Sequence, residues 1–181
     1  MSRASTILLP KLLPIQWIIM DVDGVLTDGR ITYDNNGVEQ KSFHVRDGFA
    51  LREWHGDGGQ SAIVTGRISN IVAVRAAELG VTEVLQNVDN KASALLHLLN
   101  RSGCNANQVC AIGDDLPDLG MLAGAGFPVA VGDAAPEVRE AAAYVTRAPG
   151  GGGAIREVVE LILKARGRWP QVVRRCRGIN P

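Results

Sequence analysis

The chain has no excess of charge, no long apolar run and too few cysteines for a covalent scaffold. Nineteen Lys and Arg balance nineteen Asp and Glu over 181 residues. No broad field therefore favours nucleic acid or a membrane surface, and neither is expected as a partner. No apolar stretch approaches the roughly 20 residues of a membrane-spanning helix, and Ser5 to Leu13 is broken by Pro10 and Lys11. The expected compartment is the cytoplasm. Cys104, Cys110 and Cys176 are odd in number and scattered, which argues against a disulfide framework and against a zinc site. Cys110, inside an apolar run, reads as a small core residue. No internal repeat is evident. What remains is 46% hydrophobic residues in a chain of one-domain size, enough for an ordinary core, and a zero net charge that leaves only a local basic patch for a small anionic ligand.

Strand-like and helix-like segments alternate, which predicts an α/β fold with a doubly wound parallel sheet. Short apolar runs at Ile15 to Met20, Ala62 to Val64, Val84 to Leu85, Val109 to Ile112 and Val129 to Val131 are the strand candidates. Helical patterns fall at Ile68 to Leu79, Ala92 to Leu99 and Leu116 to Ala123, with a last amphipathic helix at Ala154 to Ala165 through Ile155, Val158, Val159 and Ile162. Residues 1–14 precede this unit and 167–181 follow it. The tail carries Arg168, Arg174, Arg175 and Arg177 and reads as a solvated, partly disordered end. Arg30 to Val45 breaks the alternation: apolar residues flank Asp34-Asn35-Asn36-Gly37, and Asn-Gly in that setting signals a hairpin.

The chemistry-bearing residues sit where strands end. Asp21 and Asp23 follow the first apolar run, and ligands of open α/β sheets bind at the carboxyl ends of such strands. Two acids one residue apart repel unless a cation or proton intervenes, and hard oxygen ligands suit Mg²⁺. Thr65 with Gly66 ends the next run, offering a hydroxyl and a glycine-freed N–H to phosphate oxygens. Lys91 opens a helix, and Asp114, Asp115 and Asp118 follow Val109 to Ile112. In that order these are the parts of a phosphoryl-transfer site. The residues alone leave Asp115 and Asp118 open between supporting acids, which orient Lys91 or a metal-bound water, and caps of the helix from Leu116.

With those four elements the chain resembles the haloacid dehalogenase superfamily of phosphotransferases. Further stretches resemble its 3-deoxy-D-manno-octulosonate 8-phosphate phosphatases: Thr27-Asp28-Gly29, Val45-Arg46-Asp47-Gly48, Thr65-Gly66-Arg67, Asn90-Lys91, Gly113-Asp114-Asp115-Leu116, and Gly151-Gly152-Gly153-Ala154 with Arg156-Glu157. The likeness covers residues 15–166. It implies Asp21 as nucleophile, Asp23 as general acid and base, and Thr65 and Lys91 as phosphoryl-binding groups. Mg²⁺ would be held by the carboxylates of Asp21 and Asp114 and the carbonyl of Asp23. It further implies substrate contacts from Asp23, His44, Val45, Arg46, Asp47, Gly48, Arg52, Arg67, Arg75 and Lys91, for a sugar acid with phosphate at one end and carboxylate at the other. Guanidinium groups match both ends. Taken singly, Arg52 and Arg75 are solvated helix faces. His44 departs from the asparagine common in the family and brings a pH-dependent charge, while His55 and His97 have no match and read as surface or helix-packing residues.

The spacing leaves no room for a separate cap domain, so the hairpin at about 30–45 is expected as a flap over the site. A neighbouring subunit is then expected to exclude water, and the resemblance implies a homotetramer whose hairpins pack together; Ile31 and Phe43, apolar residues of the hairpin, are expected to lie outside the sheet domain's core and to serve that association. Two other functions are weighed. One is a phosphatase for a nine-carbon sialic acid 9-phosphate, whose family tends to carry glutamate at the position of Arg67. The other is an inactive, oligomer-forming phosphatase-like module, which the intact Asp21, Asp23, Thr65, Lys91 and Asp114 oppose.

Overall fold

A computed structural model describes residues 3–178. Each apolar run becomes a strand because it can be buried on both faces, and each amphipathic stretch becomes a helix laid across them. In chain order the elements are α1 (Arg3–Leu12), β1 (Trp17–Met20), β2 (Thr32–Tyr33), β3 (Glu39–Gln40), α2 (Val45–Gly56), β4 (Gln60–Val64), α3 (Asn70–Leu79), β5 (Glu83–Leu85) and α4 (Lys91–Ser102). There follow β6 (Val109–Gly113), α5 (Leu119–Ala123), β7 (Phe127–Ala130), α6 (Pro136–Ala141), β8 (Tyr144–Val145), α7 (Ala154–Ala165) and α8 (Trp169–Cys176). Six strands form one parallel sheet in the order β5-β4-β1-β6-β7-β8. The chain leaves β1 toward one side for β4 and returns to the other for β6, so the switch point lies at β1. Met20 pairs with Ile63 on one side and Ile112 on the other, which brings the ends of these three strands level.

The core is aliphatic, with Ile18, Ile19, Met20, Ile63 and Ile112 buried in the central strands. Helix contacts fall into two sets, α2 and α7 with α1, α3 and α8, and α4 with α5 and α6, as expected of layers on the two faces of a doubly wound sheet. α7 buries Ile155, Val158, Val159, Ile162 and Leu163, the face that its periodicity predicts. Cys110 is fully buried in β6 and burial pushes its thiol far up, so it is a core residue.

Several features differ from the sequence reading. The basic tail is not only a solvated end: α8 buries Trp169 and Val172, and the Arg156 guanidinium lies 4.6 Å over the Trp169 ring. Arg166 and Arg168 pair with Asp57 at 3.4 and 3.5 Å. Arg166, Arg168 and Arg175 are partners of acids on α2 and its end, and Trp169 and Val172 seat the helix. The stretch Leu116 to Ala123 divides into a 3₁₀ turn, Leu116–Asp118, and the short α5. The hairpin strands are only two residues each, and Val45 already belongs to α2. Asp34 Oδ1 closes the turn by accepting the N–H groups of Asn36 and Val38, both at 2.8 Å. Phe43, expected on an association surface, is half-buried against the core with Arg75 5.7 Å over its ring. No separate cap domain is present among the described residues.

Candidate active site

The level ends of β4, β1 and β6 deliver the first cluster. Asp21 leaves β1 with its N–H on Ile112 O at 3.2 Å, and Asp114 leaves β6. Lys91 is the first residue of α4, whose N-cap Asn90 accepts the Ser93 N–H. The Lys91 ammonium is buried and donates to Asp21 Oδ1 at 2.8 Å and Asp118 Oδ1 at 2.5 Å. Asp118 is buried too, and its Oδ2 accepts the N–H groups of Asp114 at 2.9 Å and Asp115 at 3.3 Å. Asp115 accepts the Leu116 N–H at 2.8 Å. Its geometry is that of a turn cap, whereas Asp118 braces both Lys91 and the Asp114 loop.

Carboxyl oxygens of Asp21, Asp114 and Asp118 lie within 4.8 Å of one another. Burial, then the neighbouring acids, push Asp114 up to about 7. Burial also pushes Asp21 up to about 6, against the opposing pull of Lys91. Burial disfavours the Lys91 ammonium, yet Asp21 and Asp118 outweigh it and hold its pKa above the usual value. Three acids against one lysine leave a deficit of positive charge that a hard divalent cation matches. Because both oxygens of Asp118 are already bonded, Asp21 and Asp114 are the carboxylates with capacity to spare. The loop after β1 must also pass close by: a Cβ on Gly24, at φ +93°, would lie 2.0 Å from Asp114 Oδ2. The glycine-rich loop after β8 docks there as well, with Gly151 N–H on Val25 O at 3.0 Å.

A second cluster joins the hairpin to the loop that follows β4. Thr65 is buried at the end of β4, its Oγ1 accepting the Arg67 N–H at 3.4 Å, and Gly66 is exposed beside it. Asp23 pairs with Lys41, whose side chain is only 1% exposed, and Arg67 Nε stands 3.6 Å from Asp23 Oδ2. Glu39 Oε1 accepts from Arg67 Nη2 at 2.6 Å and lies 3.5 Å from Lys41 Nζ. Burial raises the Glu39 carboxyl, but Arg67 and Lys41 prevail and hold it below the usual range. Lys41 and Glu39 were not singled out from the sequence. The signal was there, since the strand repeat of two puts Glu39 and Lys41 on one face and Tyr33 is the cross-strand partner of Glu39.

The remaining candidate residues make no hydrogen bond or ion pair with either cluster among the described residues. His44 is the N-cap of α2, its Nδ1 accepting the Arg46 N–H at 3.3 Å, so the ring does what an asparagine side chain would do there. Val45, Arg46 and Arg52 are exposed. Asp47 is buried and accepts the Arg156 N–H at 2.7 Å, tying α2 to the first turn of α7; burial pushes its carboxyl up. Gly48 packs under Arg75, which pairs with Glu78 at 3.1 Å. His55 is half-buried between Leu79 O and Ser61 Oγ, and His97 is exposed. A surface hollow of about 390 Å³ between β8 and α7 lies elsewhere; its Glu157 is taken by Tyr144 Oη and the N–H groups of Arg147 and Ala148. The strand-end acids, not that hollow, are the candidate active site.

Known proteins show the family to which the chain belongs. A family described as haloacid dehalogenase-like hydrolase matches residues 64–156. The 3-deoxy-D-manno-octulosonate 8-phosphate phosphatase of Escherichia coli K12 is 44% identical over 154 residues, 85% of this chain and 82% of that protein. The crystal structure of the Moraxella catarrhalis phosphatase of that name, in complex with magnesium, phosphate and the sugar acid, superposes with a TM-score of 0.91 at 40% identity, covering 93% of this chain and 97% of that one. The cobalt-bound form from Haemophilus influenzae gives a TM-score of 0.84 at 42% identity, covering 87% and 92%. The chain thus belongs to the haloacid dehalogenase-like hydrolases, as a phosphatase of the 3-deoxy-D-manno-octulosonate 8-phosphate phosphatase family.

Proposed function

We propose that the chain hydrolyses 3-deoxy-D-manno-octulosonate 8-phosphate to the free sugar acid and phosphate, with Mg²⁺, as a step toward lipopolysaccharide precursors in the cytoplasm. The observation that carries the reading is the buried Asp21-Lys91-Asp118 chain beside Asp114 at the ends of β1 and β6. The carboxylates of Asp21 and Asp114, with the Asp23 carbonyl, are the groups to hold Mg²⁺, which neutralises charge on phosphate oxygens when bound. Lys91, held by Asp118, and the Thr65 hydroxyl donate to the transferred phosphoryl group. An Asp21 oxygen attacks phosphorus in line; the bond to the sugar oxygen breaks and that oxygen takes the Asp23 proton. Water then attacks the aspartyl-phosphate, gives its proton to Asp23, and phosphate leaves with Asp21 restored. For both steps Asp23 must exchange its Lys41 contact for the reacting oxygen.

Enclosure falls to a homotetramer. Ile31, Val38, Val45 and Ile68 are exposed apolar residues on and beside the hairpin and the Arg67 loop, Val45 reaching 79%. Such a group supports association through this face. Arg67 is the guanidinium for the substrate carboxylate and favours the eight-carbon acid over the nine-carbon one, and Arg46 and Arg52 are exposed for further contacts. No described helix is long and apolar enough to cross a membrane. A panel of sugar phosphates assayed with Mg²⁺ and with excess chelator tests the reading. The eight-carbon acid phosphate should have the highest kcat/KM, and chelation should remove activity. Preference for a nine-carbon acid, or full activity in chelator, would overturn it.

A further inference from the structure

Arg67 is engaged before any substrate arrives. Its Nη2 donates to Glu39 Oε1 at 2.6 Å and lies 3.4 Å from Tyr33 Oη, while the buried Nε has no hydrogen-bond acceptor. Nε and Nη2 form the side of the guanidinium that takes a carboxylate with two parallel bonds. Of the two, only Nη2 is hydrogen-bonded, and Nε faces Asp23 Oδ2 at the longer ion-pair distance of 3.6 Å. Glu39 has a second cation in Lys41 at 3.5 Å, and 39% of the Arg67 side chain remains open to solvent.

Resting on the reading of Arg67 as the site of the substrate carboxylate, we infer that Glu39 is an internal stand-in for that carboxylate, occupying Arg67 until an acidic substrate displaces it. The exchange is favourable in kind, since a free carboxylate can take both Nε and Nη2 where Glu39 takes one. Nor is Glu39 stranded when it lets go. Lys41 stays beside it as a partner, so the displaced charge remains paired. A neutral sugar phosphate has no group for the fork and leaves Glu39 in place, with the hairpin still tied through Arg67 and Lys41 to Asp23. Glu39 is then a specificity-determining positioning residue that acts through Arg67. It weakens the grip on every carboxylate and sets how far the enzyme separates acidic from neutral sugar phosphates.

The test is steady-state kinetics of Glu39→Gln with Mg²⁺ on 3-deoxy-D-manno-octulosonate 8-phosphate and on glucose 6-phosphate, which lacks a carboxylate. KM for the acid should fall by about three- to ten-fold, the worth of a part-exposed charged contact, with KM for glucose 6-phosphate unmoved and the change in KM rather than kcat. In an Arg67→Ala background the same substitution should leave KM for the acid where it was. Glu39→Asp, which keeps the charge but shortens the reach, should lower KM in the same direction by a smaller factor and guards against a hairpin disturbed by the amide. An unchanged or higher KM for the acid in both variants overturns the inference, as does an equal fall for both substrates. A wild type that does not prefer the acid to glucose 6-phosphate removes the reading of Arg67 and the inference together; a wild type that does, with unmoved variants, removes the inference alone.

Discussion

Two charge clusters meet at one end of the sheet, and they are built on opposite principles. At the strand ends, Asp21, Asp114 and Asp118 face a single Lys91, three formal negative charges against one positive. At the hairpin, Asp23 and Glu39 alternate with Lys41 and Arg67, two against two. The first cluster is buried, fixed to the central strands, and keeps two carboxyls near neutral acidity. The second ties Glu39 and Lys41 of a hairpin with two-residue strands to Asp23 and Arg67, and its charges already balance, with Arg67 Nε left without a hydrogen-bond acceptor. Unbalanced charge held rigidly is a site that waits for a cation and a phosphate. Balanced charge on a light element is a latch, stable alone and ready to exchange partners.

Removing charge from the rigid cluster should have the largest effect. Asp21→Asn should lower kcat by roughly 10⁴-fold or more, because an amide cannot form the acyl-phosphate; near wild-type turnover, with deamidation excluded by mass spectrometry, would break the contrast at its root. Lys91→Met should be nearly as damaging to turnover. It should also cost about 3 kcal/mol of stability in urea, since it strands Asp21 and Asp118 in a buried site. A variant as stable as wild type would show that the lysine is not what holds the acids.

The metal-free protein offers a finer probe. Asp21 and Asp114 have folded-state acidities near 6 and 7 against an ordinary aspartate value of 3.8. Between those values the folded state binds more protons than the unfolded chain, so stability falls as pH rises from about 4 through 7. In chelator, Tm should therefore drop by on the order of 5 °C from pH 5 to pH 8, and Mg²⁺ should restore most of it at pH 8 and little at pH 5. A flat profile in chelator would remove the electrostatic account of the cluster. The smallest effect on chemistry is expected at the hairpin surface. Ile31→Asp with Val38→Asp should shift sedimentation toward monomers or dimers and reduce turnover of the sugar acid phosphate more than that of a nitrophenyl ester. A fully active monomer would separate enclosure from assembly.

The two clusters were not equally legible in the sequence. Strands buried on both faces are continuous apolar runs, so β1, β4 and β6 and the polar residues at their ends can be read directly. β8 and α6 escaped because two and six residues of mixed character carry no period. The seating of α8 was hidden by its arginines, which draw the eye from Trp169 and Val172. The hairpin was read for its apolar alternation, so the charged face made by Glu39 and Lys41 went unnoticed. Asp47 belongs to a different class of difficulty. Its bond to the Arg156 N–H joins positions 109 apart in the chain, and no local pattern announces such a contact.

The central claim, that the unbalanced cluster carries a nucleophile at Asp21, is most directly tested by trapping the intermediate. Enzyme quenched during turnover of 3-deoxy-D-manno-octulosonate 8-phosphate with Mg²⁺ is reduced with borohydride, which converts an aspartyl-phosphate to homoserine, and the digest is sequenced by mass spectrometry. Homoserine at position 21, absent without substrate, is the expected result. Unmodified Asp21 throughout turnover, or homoserine at another acid, would contradict it.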